Sequence, residues 1–282
     1  MTEDATGTVC GVCPHACLLT EGKRGFCGAR RAHGGQIVDE NYGRVTSLAL
    51  DPIEKKPLAR FRSGSLVLSV GSYGCNLRCP FCQNASIACA GPGEVPWRTM
   101  APEEVVRLAE EAMPRGNVGI AYTYNEPLIG YEFVLDTARL ARTRGLVNVL
   151  VSNGMVNPGP LSELVPYIDA ANIDLKGFTQ EFYDEVAGSL ATVKRTIETL
   201  AASPTCHLEV TTLVIPGLND DAYTIDAAAA WLASLDRSIP YHLTRFFPCY
   251  RMQDRPPTPV TKLRTLAVVA RRHLDDVLLG NC

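Results

Sequence analysis

From Leu66 onward, short apolar runs alternate with helix-periodic segments, and this alternation constrains the fold more than any other feature of the chain. "LVLSV" reads as a buried strand, and Pro102 then opens a helix through "EEVVRLAEEA". "VGIAYTY" is the next strand, followed by a helix from Tyr131 to Arg144 and the strand "LVNVLVSN". Then come "AANIDLKG", a helical region from Phe182 to Ala201, the strand "CHLEVTTLVIPG" and an alanine-rich helix near Ala227 to Leu235. The strand "YHLTRFFP" and a closing helix, Val260 to Leu274, end the series. Strands separated by helices favour a parallel sheet with the helices outside it. About six units are present, against eight in a closed barrel. The expected fold is α/β, a partial (β/α)6 TIM-like barrel over residues 66–282, preceded by a cysteine-rich and extended segment over residues 1–65. In such folds the chemistry sits at the strand ends and in the loops that follow them.

Composition narrows the function classes. The chain has 282 residues, 46% of them hydrophobic, which is enough for one large core, and its formal charge is -3. Without a basic tract, nucleic acid is not an expected partner. No segment is long and apolar enough to span a membrane, and "MTEDATGTVC" lacks a secretion-signal pattern. Eleven cysteines are clustered rather than dispersed, so they read as metal ligands or redox groups in a reducing compartment. The expected location is cytoplasmic.

The loop after the first barrel strand, "GSYGCNLRCPFCQN", places Cys75, Cys79 and Cys82 within eight residues. Soft thiolates suit iron or zinc, and three on one loop can hold three corners of a [4Fe-4S] cluster with its fourth iron open. A zinc knuckle completed by Cys89 or a distant residue, or three metal-free thiols, are the alternatives.

This Cys-x3-Cys-x2-Cys motif, with Phe81 before its last cysteine, resembles the signature of the radical S-adenosylmethionine (SAM) superfamily. The resemblance is closest to the pyruvate formate-lyase activating enzyme branch. Within it, "CPHAC", "GFCG", "DPIEKKPL", "CNLRCPFCQN" and "NIDLKG" resemble the radical SAM enzyme of the AmmeMemoRadiSam system. The resemblance implies that SAM completes the cluster and is cleaved reductively. The resulting 5'-deoxyadenosyl radical abstracts hydrogen from a protein or small-molecule substrate. It also implies a one-electron reductant such as flavodoxin or ferredoxin. The substrate would be a glycyl radical enzyme, as for the activases, or one linked to a Memo-like partner. A non-catalytic iron–sulfur or zinc protein, serving electron transfer or assembly, is the competing class.

The candidate cofactor residues follow strand ends. In "YTYNEP", Tyr124 and Asn125 stand where the resembled family has two glycines, while Glu126 and Pro127 match its Gly-Gly-Glu-Pro segment. The resemblance places Glu126 near the methionine ammonium group. Asn153 in "SNG" is either a turn residue or a contact to the cofactor ribose or carboxylate. Asp174 and Lys176 alternate with Ile173 and Leu175, and two charges on one face of a buried strand need partners, whether each other or a ligand. The resemblance assigns both to the surroundings of SAM and gives the backbone from Val214 to Gly217 an adenine-supporting role. His242 faces either the cofactor or a hydrogen-bonded core, and Cys249 is either an active-site thiol or a packed one. No residue is assigned a catalytic role.

Near the N-terminus, Cys10, Cys13, Cys17 and Cys27 are spaced x2, x3 and x9. Four thiolates can close a zinc site or ligate a second iron–sulfur centre. The low apolar content of residues 1–30 weights the reading toward zinc or another structural role, because a metal would have to help fold so polar a segment.

Overall fold

The computed structural model describes residues 7–282. Eight strands form one sheet in strictly sequential order. They are β1 (Ser47–Pro52), β2 (Leu66–Gly71), β3 (Asn117–Tyr122), β4 (Val147–Ser152), β5 (Ala170–Asp174), β6 (His207–Val214), β7 (Tyr241–Arg245) and β8 (Val277–Gly280). From β2 to β8 every neighbouring pair is parallel, whereas β1 runs antiparallel to β2. The edges β1 and β8 are not paired with each other. This is a mixed α/β fold with a partial, barrel-like sheet. No helix among the described residues is long and apolar enough to cross a membrane.

The helices lie where apolar spacing places them. In Pro102–Glu111 the residues Val105, Val106 and Ala109 are buried, and in Tyr131–Thr143 so are Phe133, Val134, Leu135, Ala138 and Ala141. Helix Leu190–Ala201 starts where Ser189 accepts a hydrogen bond from Thr192 N, and Ala222–Leu235 where Asp221 does the same for Thr224 N. At Gly119 in β3, the sheet approaches so closely that an added Cβ would lie 1.9 Å from the Val147 carbonyl oxygen.

The parallel strands number seven rather than six. The extra one, β8, has only four residues, too short for periodicity to separate it from the tail of the preceding helix. The helical region from Phe182 to Ala201 divides into Gln180–Glu185 and Leu190–Ala201, and a short helix, Pro158–Leu164, precedes β5.

The segment between β1 and β2 enters the barrel rather than looping over solvent. Ile53 and Leu58 are fully buried against Val67, Ala121, Val147, Val149 and Ala170. Asn172 Nδ2 donates to Pro57 O at 2.8 Å, and Arg60 Nε lies 2.5 Å from Asp276 Oδ2 beside β8. This segment thus packs the interior at the N-terminal ends of the strands and ties one edge of the open sheet to the other.

Candidate active site

A cleft of about 540 Å³ opens at the C-terminal ends of the parallel strands. Cys75, Cys79 and Cys82 line it together with Tyr124, Asn125, Glu126, Asn153, Asp174 and Lys176. Val214 and His242 are outside this lining. The Val214 side chain is fully buried, and its carbonyl accepts from Thr258 Oγ1 at 2.6 Å.

The cysteine loop is held from several sides. Asn125 Oδ1 accepts from Ser72 N at 2.9 Å, and its Nδ2 donates to the carbonyls of Tyr73 and Gly74. Asn76 Nδ2 donates to Met155 O, and Asn153 Nδ2 donates to Asn76 Oδ1 at 3.0 Å. Both Leu77 N and Asn153 Nδ2 point at Cys75 Sγ, 3.3 and 3.6 Å away. Cys249 Sγ donates to Phe81 O at 3.2 Å, which places it behind the loop.

Glu126 is buried and uses both carboxylate oxygens internally. Oε1 accepts from Leu128 N at 2.9 Å and Ser152 Oγ at 2.8 Å, and Oε2 accepts from Asn153 N at 2.8 Å. Burial pushes its carboxyl up to about 7, although these three donors hold it down. Glu126 therefore fixes the backbone of Asn153 and the first turn after β3. Lys176 Nζ lies 2.9 Å from Asp174 Oδ2. Burial lowers the Lys176 ammonium, but the neighbouring Asp174 and Cys79 outweigh it and hold the group well above its usual value. Asn219 donates to the carbonyls of Lys176 and Leu213 and accepts from Ile215 N at 2.7 Å, locking two adjacent strand ends together.

Tyr124 has φ +74°, the left-handed region that favours glycine, so this turn keeps a backbone conformation that glycine would adopt more easily. Its hydroxyl donates to Asp51 Oδ2 at 2.6 Å, and the Lys56 ammonium lies 4.7 Å from its ring centroid. Lys56 Nζ is also 2.9 Å from Asp51 Oδ2. Burial raises the Asp51 carboxyl, yet Tyr124 and Lys56 together hold it well below the usual carboxylate range. Asp51, Lys55 and Lys56 line the cleft and were missed by sequence reasoning, as were Thr211 and Thr244. The first three stand in the "DPIEKKPL" stretch that carries the family resemblance, but that stretch gave no site role to any of them beyond a dense charge run beside apolar residues.

His242 belongs to a separate buried cluster. Its Nε2 lies 2.5 Å from Glu209 Oε2, while Glu209 also accepts from Ala59 N, Arg60 N and His207 Nε2. The alternative of a hydrogen-bonded core histidine describes this geometry.

The thiols of the loop suit an iron–sulfur unit. Burial pushes Cys79 up to about 11, partly countered by Lys176, and burial likewise raises Cys75 and Cys82. Three soft donors gathered on one wall of the cleft, with the Lys176 ammonium nearby, call for further positive charge before they can ionise. Among the described residues no three Cys, His, Asp or Glu side chains are grouped as ligands of a single metal ion. Cys10, Cys13, Cys17 and Cys27 nevertheless line one small cavity on the far side of the loop.

The sequence profile of the Radical SAM superfamily matches residues 69–227, which contain the cysteine loop, Glu126 and the Asp174–Lys176 pair. An uncharacterized protein of Methanocaldococcus jannaschii is 41% identical over 278 residues, covering 96% of this chain and 80% of its own length. The pyruvate formate-lyase 1-activating enzyme of Escherichia coli is 26% identical over 152 residues, covering 52% of this chain and 61% of the relative. Among solved structures, Streptococcus suis SuiB bound to precursor peptide SuiA superposes with a TM-score of 0.60 at 11% identity. That match covers 82% of this chain and 51% of SuiB, and it is a likeness of fold.

Proposed function

Because this chain belongs to the radical SAM superfamily, we propose that Cys75, Cys79 and Cys82 hold a [4Fe-4S] cluster whose remaining iron takes SAM. The observation that carries this reading is the cleft itself. Three thiols line it together with charged and amide side chains from successive parallel strand ends. When bound, the cluster supplies the electron that divides SAM into methionine and a 5'-deoxyadenosyl radical able to abstract hydrogen.

The chain's own residues bind, orient and exclude water. Asn153 is fixed through its backbone by Glu126 and through its side chain by Asn76, so its amide is set beside Cys75. Lys176, held by Asp174, places a cation beside Cys79, where it offsets thiolate charge. Tyr124, Asn125 and Glu126 position the loop after β3 against the cysteine loop, and Leu77 and Phe81 give the cleft an apolar wall. The cofactor-binding set is thus Tyr124, Asn125, Glu126, Asn153, Asp174 and Lys176. Lys56 and Asp51 extend the polar lining toward the barrel interior, where a substrate group would meet them.

The reaction on substrate is hydrogen abstraction, with a one-electron donor of the flavodoxin or ferredoxin type. The similarity to a pyruvate formate-lyase activating enzyme supports a protein substrate, and the fold shared with a peptide-bound SuiB supports the same size class. The cleft of about 540 Å³ at the strand ends is where a loop of a partner protein would enter. The experiment is anaerobic reconstitution, reduction and chromatography for 5'-deoxyadenosine. Wild-type protein forms it and Cys79→Ala does not. A fully loaded wild-type protein that neither binds nor cleaves SAM refutes the reading and favours a non-catalytic electron carrier.

A further inference from the structure

The cleft holds more polar groups than the cysteine loop and its neighbours use. Lys56 lies at its inner end, with a side chain only 4% exposed. An ammonium has three hydrogens to donate, and the bond to Asp51 Oδ2 at 2.9 Å takes one of them. The Tyr124 ring lies against another side of the same group, its centroid 4.7 Å away. Burial pulls the Lys56 ammonium below its usual value, and Asp51 offsets only part of that pull. A buried ammonium with donors left over is completed by a further acceptor.

A second unmatched group belongs to the same cleft. Among the described residues, three buried hydroxyl or amide oxygens have no partner: Ser69 Oγ, Asn172 Oδ1 and Thr211 Oγ1. Of these three residues, Thr211 lines the cleft, and its hydroxyl can donate as well as accept. Asn172 stands on β5, beside the strand of Thr211, and donates to Pro57 O at 2.8 Å. That bond brings the segment carrying Lys56 to the side of the sheet that Thr211 faces.

Local charge sets the sign of the missing partner. Lys55 and Lys56 set two ammonium groups against the single Asp51 carboxylate, at 3.5 and 2.9 Å. Asp51 already faces both of them and the Tyr124 hydroxyl, so a cation would find no free carboxylate there. Glu126 is likewise spent on Leu128, Ser152 and Asn153, and Asp174 is paired with Lys176. A phosphate is best matched by arginine forks, and among the described residues no arginine lines the cleft. One ammonium, one hydroxyl and the apolar surface of Pro57, Val151 and Leu213 suit a single carboxylate on a short alkyl chain.

We propose that Lys56 and Thr211 form a subsite for a carboxylate carried by the substrate, set apart from the residues assigned to SAM. The site rests on the hydrogen-abstraction reading and names the chemistry its substrate shows. Lys56 supplies charge and a hydrogen, and the Thr211 hydroxyl supplies a second hydrogen. An acidic side chain on a protein loop and a small carboxylic acid present the same group.

The test is a ligand-observed NMR titration of the anaerobically reconstituted full chain, with SAM but no reductant, so that nothing is cleaved. Butyrate and butyramide form one matched pair. The blocked tripeptides acetyl-Gly-Glu-Gly-amide and acetyl-Gly-Gln-Gly-amide form the other. In at least one pair the acid should bind about tenfold or more tighter than its amide. Lys56→Met should abolish that preference, and Thr211→Val should weaken the acid about fivefold while leaving the amide unchanged. A preference in the butyrate pair alone assigns the carboxylate to a small acid, and one in the peptide pair to an acidic residue on a loop. Equal or undetectable binding of acid and amide in both pairs, or a preference that survives Lys56→Met, overturns the proposal. If Lys56→Met does not fold, Thr211→Val decides, and an acid affinity unchanged there overturns it. A chain that cleaves SAM but shows no preference loses the carboxylate site and keeps the radical reading. One that shows the preference without cleavage keeps the site and loses that reading.

Discussion

Replacing Glu209 by glutamine tests whether the inserted segment before β2 is held by a buried charge. Glu209 has no exposed side-chain surface and serves four donors: Ala59 N at 3.0 Å, Arg60 N at 2.8 Å, His207 Nε2 at 2.9 Å and His242 Nε2 at 2.5 Å. Burial raises its carboxyl, but these donors outweigh burial and bring it from 4.5 down to about 2. A folded value below the unfolded one contributes stability at every pH above about 4.5, and that stability is lost as pH falls toward about 2. The depression corresponds to roughly 3 kcal/mol. Glutamine keeps one acceptor oxygen and turns an NH2 toward two of the donors, so Glu209→Gln should cost about 2–4 kcal/mol at pH 7. In a chain of this size that lowers Tm by about 4–8 °C. Thermal melts followed by circular dichroism at pH 7, 4 and 3 would measure it, and the gap between wild type and variant should narrow on the acid side. A variant melting within about 1 °C of wild type at pH 7, or a gap unchanged by acid, would refute the reasoning.

Other substitutions probe the cleft and the sheet. Asn219→Ala removes three hydrogen bonds that join the ends of β5 and β6; it should cost about 2–3 kcal/mol in urea unfolding and weaken SAM binding by displacing Lys176. Tyr124→Phe keeps the ring over Lys56 but removes the hydroxyl from Asp51. The Asp51 carboxyl should then titrate higher by NMR, with about 1–2 kcal/mol of stability lost, and an unmoved Asp51 would contradict the bond. Gly119→Ala forces a methyl group onto the Val147 carbonyl; soluble, wild-type-like protein from this variant would show that β3 and β4 are not packed as described.

Local pattern was enough for the parts of this protein that depend on near neighbours. The strand–helix alternation, the Cys75–Cys79–Cys82 loop and the polar positions Glu126, Asn153, Asp174 and Lys176 all stand at short range from the strands that carry them. The fold gathers those residues around one cleft. The sheet brings adjacent strand ends together in register, so a motif tied to a strand end arrives at the site with it.

What the tertiary structure alone decided lies in contacts between distant segments. Glu209 meets Ala59 across 150 positions, and nothing near either residue announces the other. For that reason His242 could not be assigned to a core cluster beforehand, and the segment from Ile53 to Arg60 could not be placed inside the barrel. Lys56 and Asp51 became cleft residues only because β1 turns antiparallel at the sheet edge and returns the chain beneath Tyr124. Periodicity reports which face of an element is apolar; which distant polar group satisfies a buried charge is settled only when the chain has closed on itself.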